Sequence, residues 1–159
     1  MSTTDIVRQI EAENLARAKE LTQSILENWD FATWNELLAD DVVLNLRIAS
    51  AGIDRIGDLN AAGGNLQVAG REDAKRVLKS IYGDIKRGLC VTTEILSGYD
   101  VVLLGNMALG VPAKSWPIVI YMKFNDDGAI RVMTIAAADL QPLTDAIRKA
   151  AQTGALKAA

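Results

Sequence analysis

The 159-residue sequence holds no histidine and one cysteine, Cys90, so its chemistry must rest on carboxylates, tyrosines, lysines, amides or activated water. Imidazole acid–base catalysis and the Ser-His-Asp and Cys-His nucleophile schemes are excluded. His-based metal centres fall with them, and no metal site is expected. Three residues are candidate catalytic groups. Asp139 ends a β-like run and is the carboxylate best placed at a cavity mouth, where burial would raise its pKa for general acid or base work. Tyr121 lies in an apolar run and can donate to an enolate-like oxygen. Asn106 sits among apolar residues, where burial would demand a hydrogen-bond partner. Glu94 is a second carboxylate on a strand. Asn45 and Arg47 share one strand face and can bind an anionic or carbonyl oxygen. Trp34, Leu46, Tyr82 and Trp116 complete the candidate substrate-binding set.

Each has a plainer reading. Asp139 is also a favoured helix N-cap. Glu94 is of a type that usually faces solvent. Asn106 can serve a structural network, and Trp34, Trp116 and Tyr121 can fill a core or a dimer interface.

The elements that would position these groups follow from periodicity. Residues 5–26 form a long helix, with Ile6, Ile10, Leu15, Ala18, Leu21 and Ile25 near a 3.6-residue repeat and Ser2, Thr3 and Thr4 as capping candidates. Asp30 caps a short second helix through Trp34, Leu37 and Leu38. Residues 42–49 form a first strand, apolar on the face of Val42, Leu44, Leu46 and Ile48, and polar at Asn45 and Arg47 on the other. Residues 50–69 read as a long irregular loop with a hinge at Gly63-Gly64. A third helix spans 70–85, its apolar side formed by Val77, Leu78, Ile81 and Ile85. Four strands follow, 89–96, 101–111, 116–125 and 129–137, with a turn at 97–100 and an Asp-Gly hairpin at 125–128. Residues 140–158 form a C-terminal helix. The whole is a single α+β domain over 1–159: a curved antiparallel sheet forming a cone, capped by three helices of the N-terminal half, with a C-terminal helix.

Half of the residues are hydrophobic, which marks a compact globular chain. The net charge of −3 argues against a nucleic-acid surface. No membrane-length apolar run and no secretory signal occur, so a cytoplasmic protein is expected. No phosphate-binding glycine pattern is present, and no cofactor is expected.

Three segments carry a resemblance: ENWDFATWNELLADDVVL, VAGREDAKRVLKSIY and SWPIVIYMKFNDDGAIRVM. Over residues 21–140 the chain resembles the nuclear transport factor 2-like superfamily, and within it the SnoaL-like branch of polyketide cyclases, ketosteroid isomerases and limonene-epoxide hydrolases. The resemblance implies an apolar pocket on the concave sheet face, often in a homodimer. It points Leu44 and Leu46 inward and Asn45 and Arg47 outward. The isomerases' catalytic aspartate falls near Leu46, their tyrosine near Thr22 and their acidic oxyanion donor near Ile120 or Tyr121. The hydrolases' Arg and Asp fall near Gly105 and Met107, and their second Asp near residues 134–136. Both known catalytic sets are therefore replaced. Three functions stand: a cofactor-independent isomerase, cyclase or epoxide-opening hydrolase of an apolar small molecule, a non-catalytic small-molecule-binding or accessory protein, or a structural dimerisation module.

Overall fold

The computed structural model describes residues 2–27, 31–48, 55–56, 59–60, 65–82, 87–109, 112 and 114–137. Helices α1 (Thr3–Glu27) and α2 (Phe31–Leu37) precede strand β1 (Leu38–Ile48). Strands β2 (Arg55–Ile56), β3 (Leu59–Asn60) and β4 (Asn65–Ala69) lead to α3 (Arg71–Tyr82). Strands β5 (Arg87–Ser97), β6 (Asp100–Leu109), β7 (Lys114–Phe124) and β8 (Ile130–Ala137) complete the order. The C-terminal helix expected from the sequence lies outside the described residues.

Six strands form one sheet in the order β4-β1-β8-β7-β6-β5, with β2 and β3 paired separately. The sheet is mixed rather than antiparallel, because β1 runs parallel to β8. The sequence periodicity could not reveal this, since strands far apart in the chain can meet in either sense. β4 corrects a second expectation. Its Leu66 and Val68 alternate with polar neighbours and pair with Leu46 and Leu44, where an irregular loop was expected. Pro117 stands inside β7, one residue beyond the last described β7–β8 rung, Ile118–Ala137. The expected Asp-Gly hairpin is present: Gly128 has φ +83° and the Asn125 side chain accepts from the Ala129 N–H at 2.9 Å.

The helices cover one face of the sheet. On that inner face Val42, Leu44 and Leu46 are buried, and their neighbours Val43, Asn45 and Arg47 are half-buried or exposed on the other side. Ala18 and Leu21 of α1, Trp34 and Leu37 of α2, and Ala74, Val77 and Leu78 of α3 pack into the same core. Trp34 is fully buried and satisfied, its Nε1 donating to Ser24 Oγ at 2.7 Å. Arg71 joins α3 to the end of α2, donating to the carbonyls of Asn35 and Leu38 at 3.1 and 3.3 Å and pairing with Asp40 at 2.8 Å. Lys75 adds bonds to Asn35 Oδ1 at 2.8 Å and Glu72 at 2.7 Å. Cationic side chains thus close carbonyls that a helix C-terminus leaves open.

One bulge shapes the far edge. The β5–β6 register shifts between Val91 and Thr93, opposite Gly105, where an added Cβ would overlap the Cys90 carbonyl oxygen. Only glycine lets the two backbones approach this closely. Gly105→Ala is expected to destabilise the fold by about 2–4 kcal/mol, the range of severe overpacking against backbone. The shift in the urea unfolding midpoint measures it.

Candidate functional site

The inner face is built from two rows that cross the sheet. The first runs Val68, Leu44, Met133, Met122, Val101 and Leu96, each residue register-paired with the next. The second runs Leu66, Leu46, Ile135, Ile120, Leu103 and Glu94. Leu46 is 1% exposed and Ile120 3%, so the rows form a packed floor under the helices. Beyond the second row, Ile118 pairs with Gly105 and Met107 with Leu89 and Trp116. Ile118 and Met107 are buried, whereas Leu89, Val91 and Gly105 are only half-buried. The inner face is thus apolar through this rung, and the next, Leu109, pairs with Arg87 and Lys114 at the margin.

Glu94 is the one carboxylate that the described register assigns to this face, and the bulge puts it there; by the same register Arg87 and Lys114 share that face at its margin, on either side of Leu109. Leu89 and Val91 take the inner side before the bulge; after it the parity inverts, sending Ile95 outward and Glu94 and Leu96 inward. Lys19 of α1 meets Glu94 at 2.7 Å. A strict two-residue alternation through this strand would have put Glu94 on the outer face; it stands on the inner side of the edge strand and remains exposed. The cue was the Gly105 opposite it, a strand-interior glycine of the kind that marks bulges.

The sequence candidates divide by face. Leu46 lies on the inner floor and Trp34 in the core above it. Asn106, Tyr121, Asn45 and Arg47 lie on the outer face, away from the apolar floor, with Asn45 and Arg47 on the side that the resemblance implies. The β1 irregularity falls between Leu38 and Val43, too early to turn Asn45 and Arg47 inward. Asn45 is spoken for: it donates to Thr134 Oγ1 at 3.3 Å and accepts from Gln67 Nε2 at 3.0 Å. Asn106 is exposed and pairs in register with Cys90 and Pro117, so it is not the buried amide its apolar neighbours suggested. Arg47 is exposed. Trp116 is placed by register opposite Met107, and Tyr82 is the last residue of α3. Asp139 lies outside the described residues.

Tyr121 is half-buried, and its hydroxyl donates to Asp100 Oδ1 at 2.6 Å. Burial, then the hydrogen bond to Asp100 and its charge, push the phenol up to about 12. Such a tyrosine stays protonated and is already engaged as a donor, which suits a cross-strand brace between β6 and β7 better than an acid. A cavity of about 320 Å³ opens at the start of α3, lined by Asp40, Gly70, Arg71, Glu72 and Asp73, not by the apolar rows. Among the described residues no group of His, Cys, Asp and Glu is arranged to hold a metal ion.

No protein-family model matches the sequence, and no curated protein does. Solved structures do. A protein of Jannaschia sp. CCS1 assigned as a SnoaL-like polyketide cyclase superposes with a TM-score of 0.64 at 19% identity, covering 87% of this chain and 94% of that one. An NTF2-like protein of Burkholderia xenovorans LB400 gives 0.63 at 13% identity over 86% and 97%. An LEH-like epoxide hydrolase of Mycobacterium tuberculosis gives 0.58 at 15% identity over 91% and 95%. The chain has the nuclear transport factor 2-like fold, with the α+β cone of that fold.

The Tyr121–Asp100 bond fixes a pH dependence. A phenol that ionises near 12 when folded and near 10 when unfolded adds stability that is complete below pH 10. That stability is lost as pH rises from 10 to 12. Tyr121→Phe is expected to flatten this fall in unfolding midpoint measured across pH 9–12, and ultraviolet titration of the native protein should lose its highest-pH phenolate step.

Proposed function

We propose that this protein binds an apolar small molecule against the inner face of its sheet, at the end bounded by Leu89, Val91, Met107 and Ile118, and does not catalyse through Tyr121 or Asn106. One observation carries the reading: most of the described inner face is apolar, its single carboxylate, Glu94, is ion-paired to Lys19, and charged residues otherwise enter its register only at the margin, at Arg87 and Lys114. Enclosed apolar lining with few polar groups is the usual character of a small-molecule site. Catalysis of the isomerase, cyclase or epoxide-opening type is the second reading, favoured by what similar structures are named for. It needs an acid–base pair on the inner face, where the described register places one carboxylate, Glu94, already ion-paired to Lys19, with Arg87 and Lys114 at the margin. No cofactor is called for in either reading. The single exposed cysteine suits the reducing cytoplasm, where we place the protein.

A homodimer is part of the proposal. The outer sheet face carries Val119, 39% exposed, beside half-buried Val102, Leu104 and Ala136, an apolar belt of the kind that pairs with a second copy. Val119→Arg is expected to shift the light-scattering mass from dimer to monomer while leaving the circular dichroism spectrum unchanged.

Ligand uptake is tested with a ketosteroid and a terpene epoxide as probes, followed by thermal shift and tryptophan fluorescence. Wild type is expected to bind without turnover. Val91→Lys, which places a charge at the rim of the apolar floor, should weaken binding about tenfold or more. Asn106→Ala, on the outer face, should leave it unchanged. Turnover of either probe that survives in both Tyr121→Phe and Asn106→Ala would replace the binding reading with an enzyme using other groups.

A further inference from the structure

The sheet has two edges, and they are unequal. β4 has five residues, whereas β5 has eleven. Beyond the bulge, Thr93–Ser97 pairs regularly with Leu104–Asp100 on one side, and among the described residues no strand pairs with the other. Residues 88–97 contain no lysine, arginine or proline, the residues that commonly blunt an open edge. They are rich in β-branched side chains, Val91, Thr92, Thr93 and Ile95, and Ile95 is 49% exposed.

This short strand is complementary to itself. An antiparallel twofold pairing centred on Ile95 sets Ile95 against its own copy, Thr93 against Ser97 and Glu94 against Leu96. No like charges meet, and the two most exposed isoleucines of the sheet's edge cover one another. The obstacle is Glu94. The inverted parity after the bulge puts Glu94 on the inner-face side with its side chain still 34% exposed, and edge pairing would set that carboxylate beside a leucine and take it from water. An inward-pointing charge and a bulge are the two devices with which natural sheets protect an edge.

We propose that the free edge of β5, Thr93–Ser97, is a self-association surface for β5 of a second copy, held shut by the bulge at Thr92 and the inward carboxylate of Glu94. The bulge limits the pairing stretch to five residues, and the charge penalises the one register those residues favour. Lys19, itself 54% exposed, steadies the carboxylate without neutralising its demand for water. The inference stands apart from the ligand reading and from the outer-face dimer.

Light scattering across a concentration series, with circular dichroism to confirm folding, tests it. Glu94→Val and the isosteric Glu94→Gln are expected to form species larger than wild type, with self-association strengthened about tenfold or more. Adding Ile95→Lys to Glu94→Val should return the mass to that of wild type, and Ile95→Lys alone should not change it. Lys19→Ala keeps the carboxylate and should stay at the wild-type mass. The proposal is overturned if both Glu94 variants keep the wild-type mass, or if Glu94→Val with Ile95→Lys stays as large as Glu94→Val. It is equally overturned if Lys19→Ala associates as readily as Glu94→Val, because loosening of α1 would then be the cause.

Discussion

A β-strand sends successive side chains to opposite faces, and in this protein the described helices cover one face only. That constraint sorts every residue of the sheet. One parity must be apolar, because α1, α2 and α3 take it out of water; the other is free to carry Arg47, Asn106, Lys123 and Arg131. The rows from Leu66 to Leu103 and from Val68 to Leu96 are the result. A one-residue slip anywhere would exchange Leu46 for Asn45 or Ile120 for Tyr121 across the faces. Where parity does invert, at Thr92, the chain supplies a glycine opposite and a lysine for the carboxylate that turns inward.

This sorting explains what could be seen in the sequence. Strong periodicity made α1, α3 and the β5–β8 series visible, and the Asp-Gly turn fixed one hairpin without ambiguity. The apolar face of β1 was readable too, since Leu44 and Leu46 alternate with Asn45 and Arg47. β4 was hidden because two apolar residues, Leu66 and Val68, are too few to stand out beside glycines and alanines; only their pairing with β1 makes a strand of them. The site fared worse for a physical reason. A polar residue in an apolar run does not declare its face, so Asn106 and Tyr121 looked buried. The structure shows that strands β6 and β7 point them outward.

The joint between α2 and β1 owes its stability to α3 as much as to itself. A seven-residue helix is far too short to hold alone, and its C-terminal carbonyls need donors. Arg71 provides one to the Asn35 carbonyl from a distant part of the chain, Lys75 holds the Asn35 side chain, and Trp34 anchors the other side through Ser24. The acidic Asp40 that follows the helix finds its role here, as a partner of Arg71.

The same accounting bears on chemistry. The resemblance to the SnoaL-like branch implies catalytic polar groups near Leu46, near Ile120 or Tyr121, and near Gly105 and Met107, and of these Leu46, Ile120 and Met107 are buried on the inner floor. All three are at most 3% exposed. A buried carboxylate is tolerable only with bonds that satisfy it, and an inner face so lined offers none. Leucine, isoleucine and methionine at these positions instead each contribute roughly 1.5–3 kcal/mol of burial. The exchange is therefore not a loss of single residues from an otherwise intact site. At these positions the inner face is packed core, and a polar group placed there would need bonding partners of its own beside it.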